Sequence, residues 1–386
     1  MTCQIENTQF DFAMELLIQN GLDGIADSIT IMMNSAMQIE RSRYLQAEPY
    51  ERTGQRQGYA NGYKPKTVKT RAGKVELAIP QTRDSEFYPS CLERGLRSER
   101  ALKIALAEMY VQGVSTRKVA KITEKLCGFE VSSSEVSRAS KELDLQLESW
   151  RSRPLGAYPY VYLDARYENV RNGGIVTSSA VLVAIGVNTT GHRQVLGVSV
   201  ELSEAEVHWR KFISNLQDRG LHGVKLFISD AHEDLKAART ATFPSVPWQR
   251  CQFHLQQNAG AYIPRKKMKK EVAERIRGIF NAHDDQEALR LLRLFISDYE
   301  DVAPDLTRWA EGAIPEGLTV FQMPAEHRRR IRTSNMLERL NREINRRTSV
   351  AGIFPNTESC LRLVTAITME KSDEWETSKI YLNMTT

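Results

Sequence analysis

Three carboxylates stand where acidic side chains need a reason. Asp164 lies inside the β-rich run YVYLDARYENV, Asp230 ends another in VKLFISDAHEDL, and Glu338 lies on a polar helix stripe in TSNMLERLNREINRR. Aspartate is disfavoured within strands, and a buried one costs stability unless a cation or hydrogen bonds compensate it. Two aspartates on neighbouring strands and a glutamate on a later helix can jointly hold two divalent metal ions, the arrangement that cuts and rejoins phosphodiesters. Each residue alone also has a plainer reading. Asp164 can face water at a strand end or bulge. Asp230 can be a helix N-cap with Glu233 completing a capping box, and Asn335 can cap the helix that carries Glu338. Glu343 is the rival third ligand. It sits nearer the apolar stripe of Met336, Leu337, Leu340 and Ile344, whereas Glu338 shares the polar face with Asn341, Arg342 and Asn345.

Between the second and third carboxylates, PWQRCQFHLQQN sets Trp248 beside Cys251 and His254 at C-x-x-H spacing. One such pair is half a zinc site, and without a second pair nearby a structural role is the simpler reading. His232, Glu233 and Asp234 read as the first turn of an exposed helix. The chain has no Gly-rich phosphate loop, nucleophile elbow or dinucleotide fingerprint, which disfavours ATPases, serine hydrolases and dehydrogenases.

The elements that must position these groups follow from periodicity. Val161–Tyr167, Val176–Val187, Gln194–Leu202 and Val224–Ser229 are strand-like, with a helix at 203–219 between the last two. A helix follows at 231–240, and Ser245–Trp248 is a candidate fifth strand. Three strands, a helix and another strand is the order of an RNase H-like core, a mixed five-stranded sheet flanked by helices. Residues 251–327 break that order with charged helices striped by Val272, Ile276 and Phe280 and by Leu289, Leu292 and Phe295, and read as an insertion. Helical signal resumes at 333–347 and 357–371, and the last dozen residues read as a loose polar tail.

Upstream, residues 9–45 look helical and residues 46–66 read as an irregular arm rich in Gly, Tyr and basic side chains. TVKT-RAG-KVELAIP then alternates apolar and polar residues about a Gly-containing turn, predicting a β-hairpin with a three-residue loop. From 99 a stripe of Leu102, Ala105, Leu106, Met109 and Tyr110 predicts a helix stopped by Gly113. Ser115 caps a second helix that ends at Gly128. Ser132 and Glu135 form a capping box before a third, which carries Val136, Ala139, Leu143 and Leu147. Helix, tight turn, helix, loop, helix is a helix-turn-helix pattern, and it is also the pattern of a three-helix bundle with a solvated face. In the first case Thr116, Arg117, Lys118, Ser133, Ser134, Arg138 and Lys141 face DNA.

Net charge is only +5, so its distribution matters more than its total. From Arg41 to Lys74 nine Lys/Arg stand against two Glu, and further basic clusters occupy 265–270 and 328–332. Such patches attract polyanions. The five cysteines are odd in number and widely spaced, arguing for a reducing compartment rather than a disulfide framework. The N-terminus does not read as a signal peptide, and the uncharged stretch Asn172–Gly191 is too polar and β-branched to span a bilayer. A cytoplasmic location is expected.

At this point the chain resembles bacterial insertion-sequence transposases of the Mutator-type family. The stretches that carry the resemblance are NGYKPKTVKTRAGKVELAIPQTRD, ALAEMYVQGVSTRKVAKI, YLDARYENVR, ISDAHEDLKAA, WQRCQFHLQQN and TSNMLERLNREI, spanning residues 60 to about 345. The resemblance implies a DDE transposase whose RNase H-like domain is interrupted by an α-helical insertion. Its catalytic, metal-holding triad falls on Asp164, Asp230 and Glu338, and its Cys-x-x-His signature on Cys251 and His254, site-supporting together with Trp248. The expected organisation is multidomain α+β. A helical region with basic arm and hairpin occupies 1–90, a helix-turn-helix domain 91–152, the core 158–250 and 328–372, the insertion 251–327 and the tail 373–386. Two Mg²⁺ (or Mn²⁺) ions are expected at the triad. Double-stranded DNA, both terminal inverted repeats and target, is the expected partner of a homodimer or higher oligomer. Lys64, Lys66, Lys69, Arg71, Lys266, Lys267 and Arg342 join the helix-turn-helix residues as expected DNA contacts. The rivals are a non-catalytic helix-turn-helix regulator and a stand-alone RNase H-like nuclease or resolvase.

Overall fold

In the computed structural model, residues 9–83, 87–95 and 97–384 are described, and the chain divides between Leu143 and Asp144 into two units. Cys3 lies outside the described residues.

In the first unit, α1 (Gln9–Asn20) and α2 (Ile25–Leu45) precede a hairpin of β1 (Ala60–Thr70) and β2 (Gly73–Thr82). Thr70 pairs with Gly73, so the turn is the two residues Arg71 and Ala72 rather than the three expected. Gly73 supports this with φ +126°, a backbone that L side chains rarely adopt. β1 also starts earlier than expected, inside the basic arm. Val68, Val75, Leu77 and Ile79 point inward onto Met37 of α2 and onto Leu92.

Three short helices follow: α3 (Arg100–Val111), α4 (Thr116–Cys127) and α5 (Ser133–Lys141). Their ends obey the expected local chemistry. Ser115 accepts the N–H of Lys118, Gly128 ends α4 in the left-handed conformation, and Ser132 and Glu135 close a reciprocal capping box. Leu102, Leu106, Val119, Phe129, Val131 and Val136 form the core between them. The third helix is shorter than its apolar stripe predicts. Leu147 belongs instead to α6 (Asp144–Ser152), which packs within the second unit. There Asp144 accepts two hydrogen bonds from the buried Arg362, at 2.6 and 2.8 Å, and Arg151 donates to Thr365 at 3.0 Å.

The second unit is built on β3 (Tyr160–Asn172), β4 (Ile175–Val187), β5 (Arg193–Glu201), α7 (Glu206–Asp218), β6 (Leu226–Ser229), α8 (Glu233–Thr242) and β7 (Trp248–Arg250). The sheet order is β5-β4-β3-β6-β7, with β5-β4-β3 antiparallel and β3-β6-β7 parallel. Side chains alternate across the pleat. Val161 and Leu163 pack against Trp209, Phe212 and Ile213 of α7 and Leu235 of α8. Tyr160 and Tyr162 point to the opposite face.

That face is covered by the C-terminal helices. After β7 come α9 (Gln252–Ala259), α10 (Lys269–Phe280), α11 (Asp285–Tyr299), α12 (Pro304–Ala313), α13 (Ala325–Ile331), α14 (Asn335–Thr348) and α15 (Thr357–Thr377). Tyr160 Oη lies 2.7 Å from His327 Nδ1 of α13, and Tyr162 donates to the Arg330 carbonyl at 3.2 Å. α14 lies against β3, and α15 against β5. The expected loose tail is not loose. α15 runs to Thr377, Leu382 is buried, Tyr381 N donates to the Gly191 carbonyl at 2.9 Å, and the Asn383 carbonyl meets His327 Nε2 at 2.6 Å. Gly191 is required there, because a Cβ would lie 1.9 Å from the Leu382 carbonyl oxygen. Among the described residues no helix is long and apolar enough to cross a membrane.

Candidate active site

The parallel ladder between β3 and β6 pairs Tyr160 with Leu226 and Tyr162 with Ile228. Asp164 lies two residues further along β3, on the side of Tyr160 and Tyr162, and Asp230 directly follows the last residue of β6. Neighbouring strands lie about 4.8 Å apart, so carboxylates on adjacent strands are close enough to repel. The consequence is visible in Asp164. Burial, reinforced by the charge of Asp230, pushes its carboxyl up to about 7.

Glu338 reaches the same place from α14. One turn beyond it, Asn341 donates to Asp164 Oδ2 at 2.7 Å, while the Ala165 N–H donates to Asp164 Oδ1 at 2.9 Å. Arg166 steadies the helix by donating to the Asn341 carbonyl at 2.5 Å and to Asn345 Oδ1 at 3.2 Å. His254 ties the remaining pair. Its Nδ1 is in close ion contact with Asp230 Oδ1, and its Nε2 lies 3.7 Å from Glu338 Oε1. Asp230 and Glu338 thus face each other through His254, and Asp164 is tied to α14 through Asn341.

The C-x-x-H spacing has a mechanical meaning. Cys251 is the N-cap of α9 and is fully buried, so His254 sits in the first turn of that helix. The Ser334 N–H donates to Cys251 Sγ at 3.3 Å, and the Gln252 N–H donates to the Arg332 carbonyl at 3.0 Å. The start of α9 is thereby indexed against the start of α14, and His254 against Glu338. Hydrogen bonding to Asp230 and Cys251 overcomes burial and pushes His254 up to about 10, so it is a cation at neutral pH. Burial would raise the Cys251 thiol, but the bonds with His254 and Ser334 bring it below its ordinary value. Trp248 supports from behind. Its Nε1 donates to Ser229 Oγ at 2.8 Å, and Ser229 in turn donates to the Asp230 carbonyl at 2.8 Å.

The plainer readings of the acids lose their geometry. The N-cap of α8 is His232, not Asp230, and the N-cap of α14 is Ser334, not Asn335. Glu343 is committed elsewhere. Hydrogen bonds from Arg346, with the charge of Arg347, hold its carboxyl down at about 2. Sequence reasoning missed Asn341 and Glu204. The latter is a fourth acid that accepts from Tyr167 and adds to the field on Asp164; nothing in the SEAEVH run marks it.

The expected DNA contacts are placed unevenly. Arg342, Lys266 and Lys267 are exposed in the second unit. In the first, Lys64, Arg117, Lys118, Ser133, Ser134, Arg138 and Lys141 are exposed and Thr116 is half-buried. Arg71 is exposed at the hairpin turn and pairs with Glu99 at 3.0 Å. Lys66 donates to Tyr88 Oη at 3.1 Å, and Lys69 is tied to Glu135 at 2.6 Å, fastening the hairpin to α5.

A model of the transposases of the Mutator family matches residues 3–378. The chain belongs to that family. It is 55% identical over 385 residues to the transposase for insertion sequence element IS406 of Burkholderia multivorans, covering 99% of each chain. It is 43% identical to the transposase for ISRM5 of Rhizobium meliloti, covering 96% of this chain and 93% of that one. It is 40% identical to the transposase for IS256 in transposon Tn4001 of Staphylococcus aureus, covering 92% of each. A solved structure, the Mos1 strand transfer complex, aligns with 60% of this chain and 78% of that one at 13% identity and a TM-score of 0.18, too low to bear on the site. As a Mutator-family transposase the chain is an enzyme of DNA transposition.

The carboxylates of this transposase fit a hard divalent cation. They offer oxygen donors, the set Mg²⁺ and Mn²⁺ prefer, and Glu338 Oε1 is buried without a hydrogen-bond donor. Asp230, Cys251 and His254 also bring their ligand atoms within 4.8 Å of one another. Within that trio Cys251 accepts from the Ser334 N–H, while Asp230 Oδ1 and His254 Nδ1, in close ion contact, are buried without a hydrogen-bond partner.

A pH dependence follows. Asp164 is held at about 7 from an ordinary value of 3.8, and His254 at about 10 from 6.5. Between the ordinary and folded values of each group the native state binds more protons than the unfolded chain, so stability falls as pH rises. The metal-free protein is expected to melt at lower temperature at about pH 8 than at about pH 5.5, and Mg²⁺ should raise the melting temperature more at the higher pH, where the carboxylates are free to bind it. Melting curves with and without Mg²⁺ check this; equal shifts at both pH values would contradict it.

Proposed function

We propose that this transposase is a DDE enzyme. On this reading an RNase H-like core, residues 158–250 and 328–372, is interrupted by the helical insertion 251–327. It cuts the ends of its insertion sequence and joins them to target DNA. What supports the reading is that His254 faces both Asp230 and Glu338 while Asn341 of α14 holds Asp164, on a sheet of order β5-β4-β3-β6-β7.

Two Mg²⁺ (or Mn²⁺) ions held by those carboxylates supply Lewis-acid stabilisation of charge on the reacting phosphate. The chain's own work is positioning. Asn341 fixes the rotamer of Asp164, and His254 holds Asp230 and faces Glu338 across the opening. Arg342 on α14 and Lys266 and Lys267 beyond α9 are cations for the flanking phosphates. Water attacks the scissile phosphate and breaks its P–O3′ bond, leaving a 3′-OH on the element end. That hydroxyl then attacks a target phosphodiester, expelling a target 3′-oxygen, with no covalent enzyme–DNA intermediate. The hairpin and the helix-turn-helix of α3–α5 bind the terminal inverted repeats. Because two ends are joined together, the working complex is at least a homodimer.

The test is a Mg²⁺-dependent assay with the full chain, an end duplex from its element and a second, unrelated duplex. The expected products are a nick with a 3′-OH and a joined species. End binding without cleavage would favour a non-catalytic regulator, and cleavage without joining a nuclease.

A further inference from the structure

The C-x-x-H pair offers half of a soft-metal site, and the fold supplies a ligand that the local sequence lacks. Cys251 and His254 are one helical turn apart at the start of α9, the spacing that puts thiol and imidazole on one face. Asp230, at the end of β6, meets them there. Among the described residues these three bring one ligand atom each within 4.8 Å of one another. A tetrahedral zinc ion, with bonds of about 2.0–2.3 Å to nitrogen, oxygen and sulfur, spaces its ligand atoms about 3.3–3.6 Å apart. Side-chain rotation covers that difference.

A purely structural role explains only part of this arrangement. The Ser334 N–H on Cys251 Sγ is reason enough for a buried cysteine. It does not explain Asp230 Oδ1 and His254 Nδ1, which are buried against each other without a hydrogen-bond partner. A carboxylate oxygen, a ring nitrogen and a thiol gathered at one point are what a borderline-soft cation coordinates. The Ser334 N–H would then hold the sulfur in place from outside the coordination sphere, and Trp248, through Ser229, already backs the Asp230 carbonyl. Hard Mg²⁺ prefers oxygen donors and gains little from this sulfur and nitrogen. The trio is also reachable. The side chains of Asp230 and His254 are 41% and 28% exposed, which leaves a fourth position for water.

Resting on the reading that Asp230 serves Mg²⁺ in cleavage, we infer that Asp230, Cys251 and His254 form a separate Zn²⁺ site that switches the transposase off. Zinc bound there displaces the thiol and imidazole protons to solvent. It claims a carboxylate that Mg²⁺ needs and sets a fixed double positive charge beside the Mg²⁺ positions. Both effects weaken Mg²⁺ binding.

The experiment titrates Co²⁺ into the full chain, free of other metals and of DNA. Co²⁺ occupies zinc sites, and a thiolate ligand gives it a near-ultraviolet charge-transfer band. The wild type is expected to show that band, saturating at one ion per chain. Zn²⁺ should bleach it and a large excess of Mg²⁺ should not. Cys251→Ser, whose hydroxyl can still accept the Ser334 N–H, should lose the band although Cys3, Cys91, Cys127 and Cys360 remain. It should also bind Zn²⁺ at least about a hundredfold more weakly, and so should His254→Ala. Asp164→Asn and Glu338→Gln should keep the band, which separates this site from the Mg²⁺ carboxylates. In the end-cleavage assay Zn²⁺ should stop Mg²⁺-dependent cutting, and a chelator that takes zinc but spares Mg²⁺ should restore it. A wild type without the band, a band that survives Cys251→Ser, or cutting untouched by Zn²⁺ would overturn the inference and leave the proposed function standing. A band lost in Cys251→Ser, in a protein that never cuts with Mg²⁺ alone, would keep the zinc site and sink the catalytic reading.

Discussion

Asp164→Asn is expected to give a folded protein that still binds element-end DNA and cuts it on the order of a thousandfold more slowly, the scale of losing a preorganised charge at a reacting phosphate. The fold should tolerate the change. Asn341 has a side-chain oxygen without a partner, so its amide can turn to receive the N–H of the introduced carboxamide. Removing a carboxylate whose ionisation burial and Asp230 oppose should also slightly stabilise the metal-free protein near neutral pH. The companion pair decides the third ligand. Glu338→Gln should be as inactive as Asp164→Asn. Glu343→Gln should keep activity and lose up to about 1 kcal/mol of stability, because its partner Arg347 retains Glu370 at 2.6 Å. Rates of end cleavage and melting temperatures for the three variants check both halves. An active Glu338→Gln beside an inactive Glu343→Gln would reassign the ligand.

His254→Ala should cost about 10–100-fold in cleavage, with a matching loss in Mg²⁺ affinity that excess metal partly restores, as expected for a residue that orients a ligand. The residue touches both Asp230 and Glu338, so its removal frees two carboxylates. In the metal-free protein the contacts with Asp230 and Cys251 push the imidazole up to about 10, which favours a cation that orients the carboxylates over a general base. The wild-type rate profile should therefore lack a histidine inflection near 6.5. Such an inflection, lost in His254→Ala, would assign it a proton-transfer role instead. Mg²⁺ titrations of cleavage at several pH values separate the two.

The strands of the second unit are legible in the sequence because burial on both faces leaves a continuous apolar signature, as in Ala180–Val187, and because Asp164 interrupts one such run. Helix ends are legible where single residues control them, as at Ser115, Gly128 and Ser132. What stays hidden depends on partners remote in sequence. The third helix of the first unit ends early although its stripe continues, and the next helix carries Asp144, which pairs with Arg362 more than two hundred residues later. The tail reads as loose because its anchors, Gly191 and His327, lie far upstream. The C-x-x-H pair is visible, but not that it locks one helix start to another. The same holds for Asn341, whose polar-face position can be read without its acceptor.

The order in which the carboxylates occur along the chain has a consequence for synthesis. The third is supplied by α14, after most of the polypeptide has been made. On the proposed reading, any ribosome product that stops short of that helix carries two acids and cannot cut, although its first unit is already complete. Aborted translation would thus yield competitors for the element's ends rather than half-controlled nucleases.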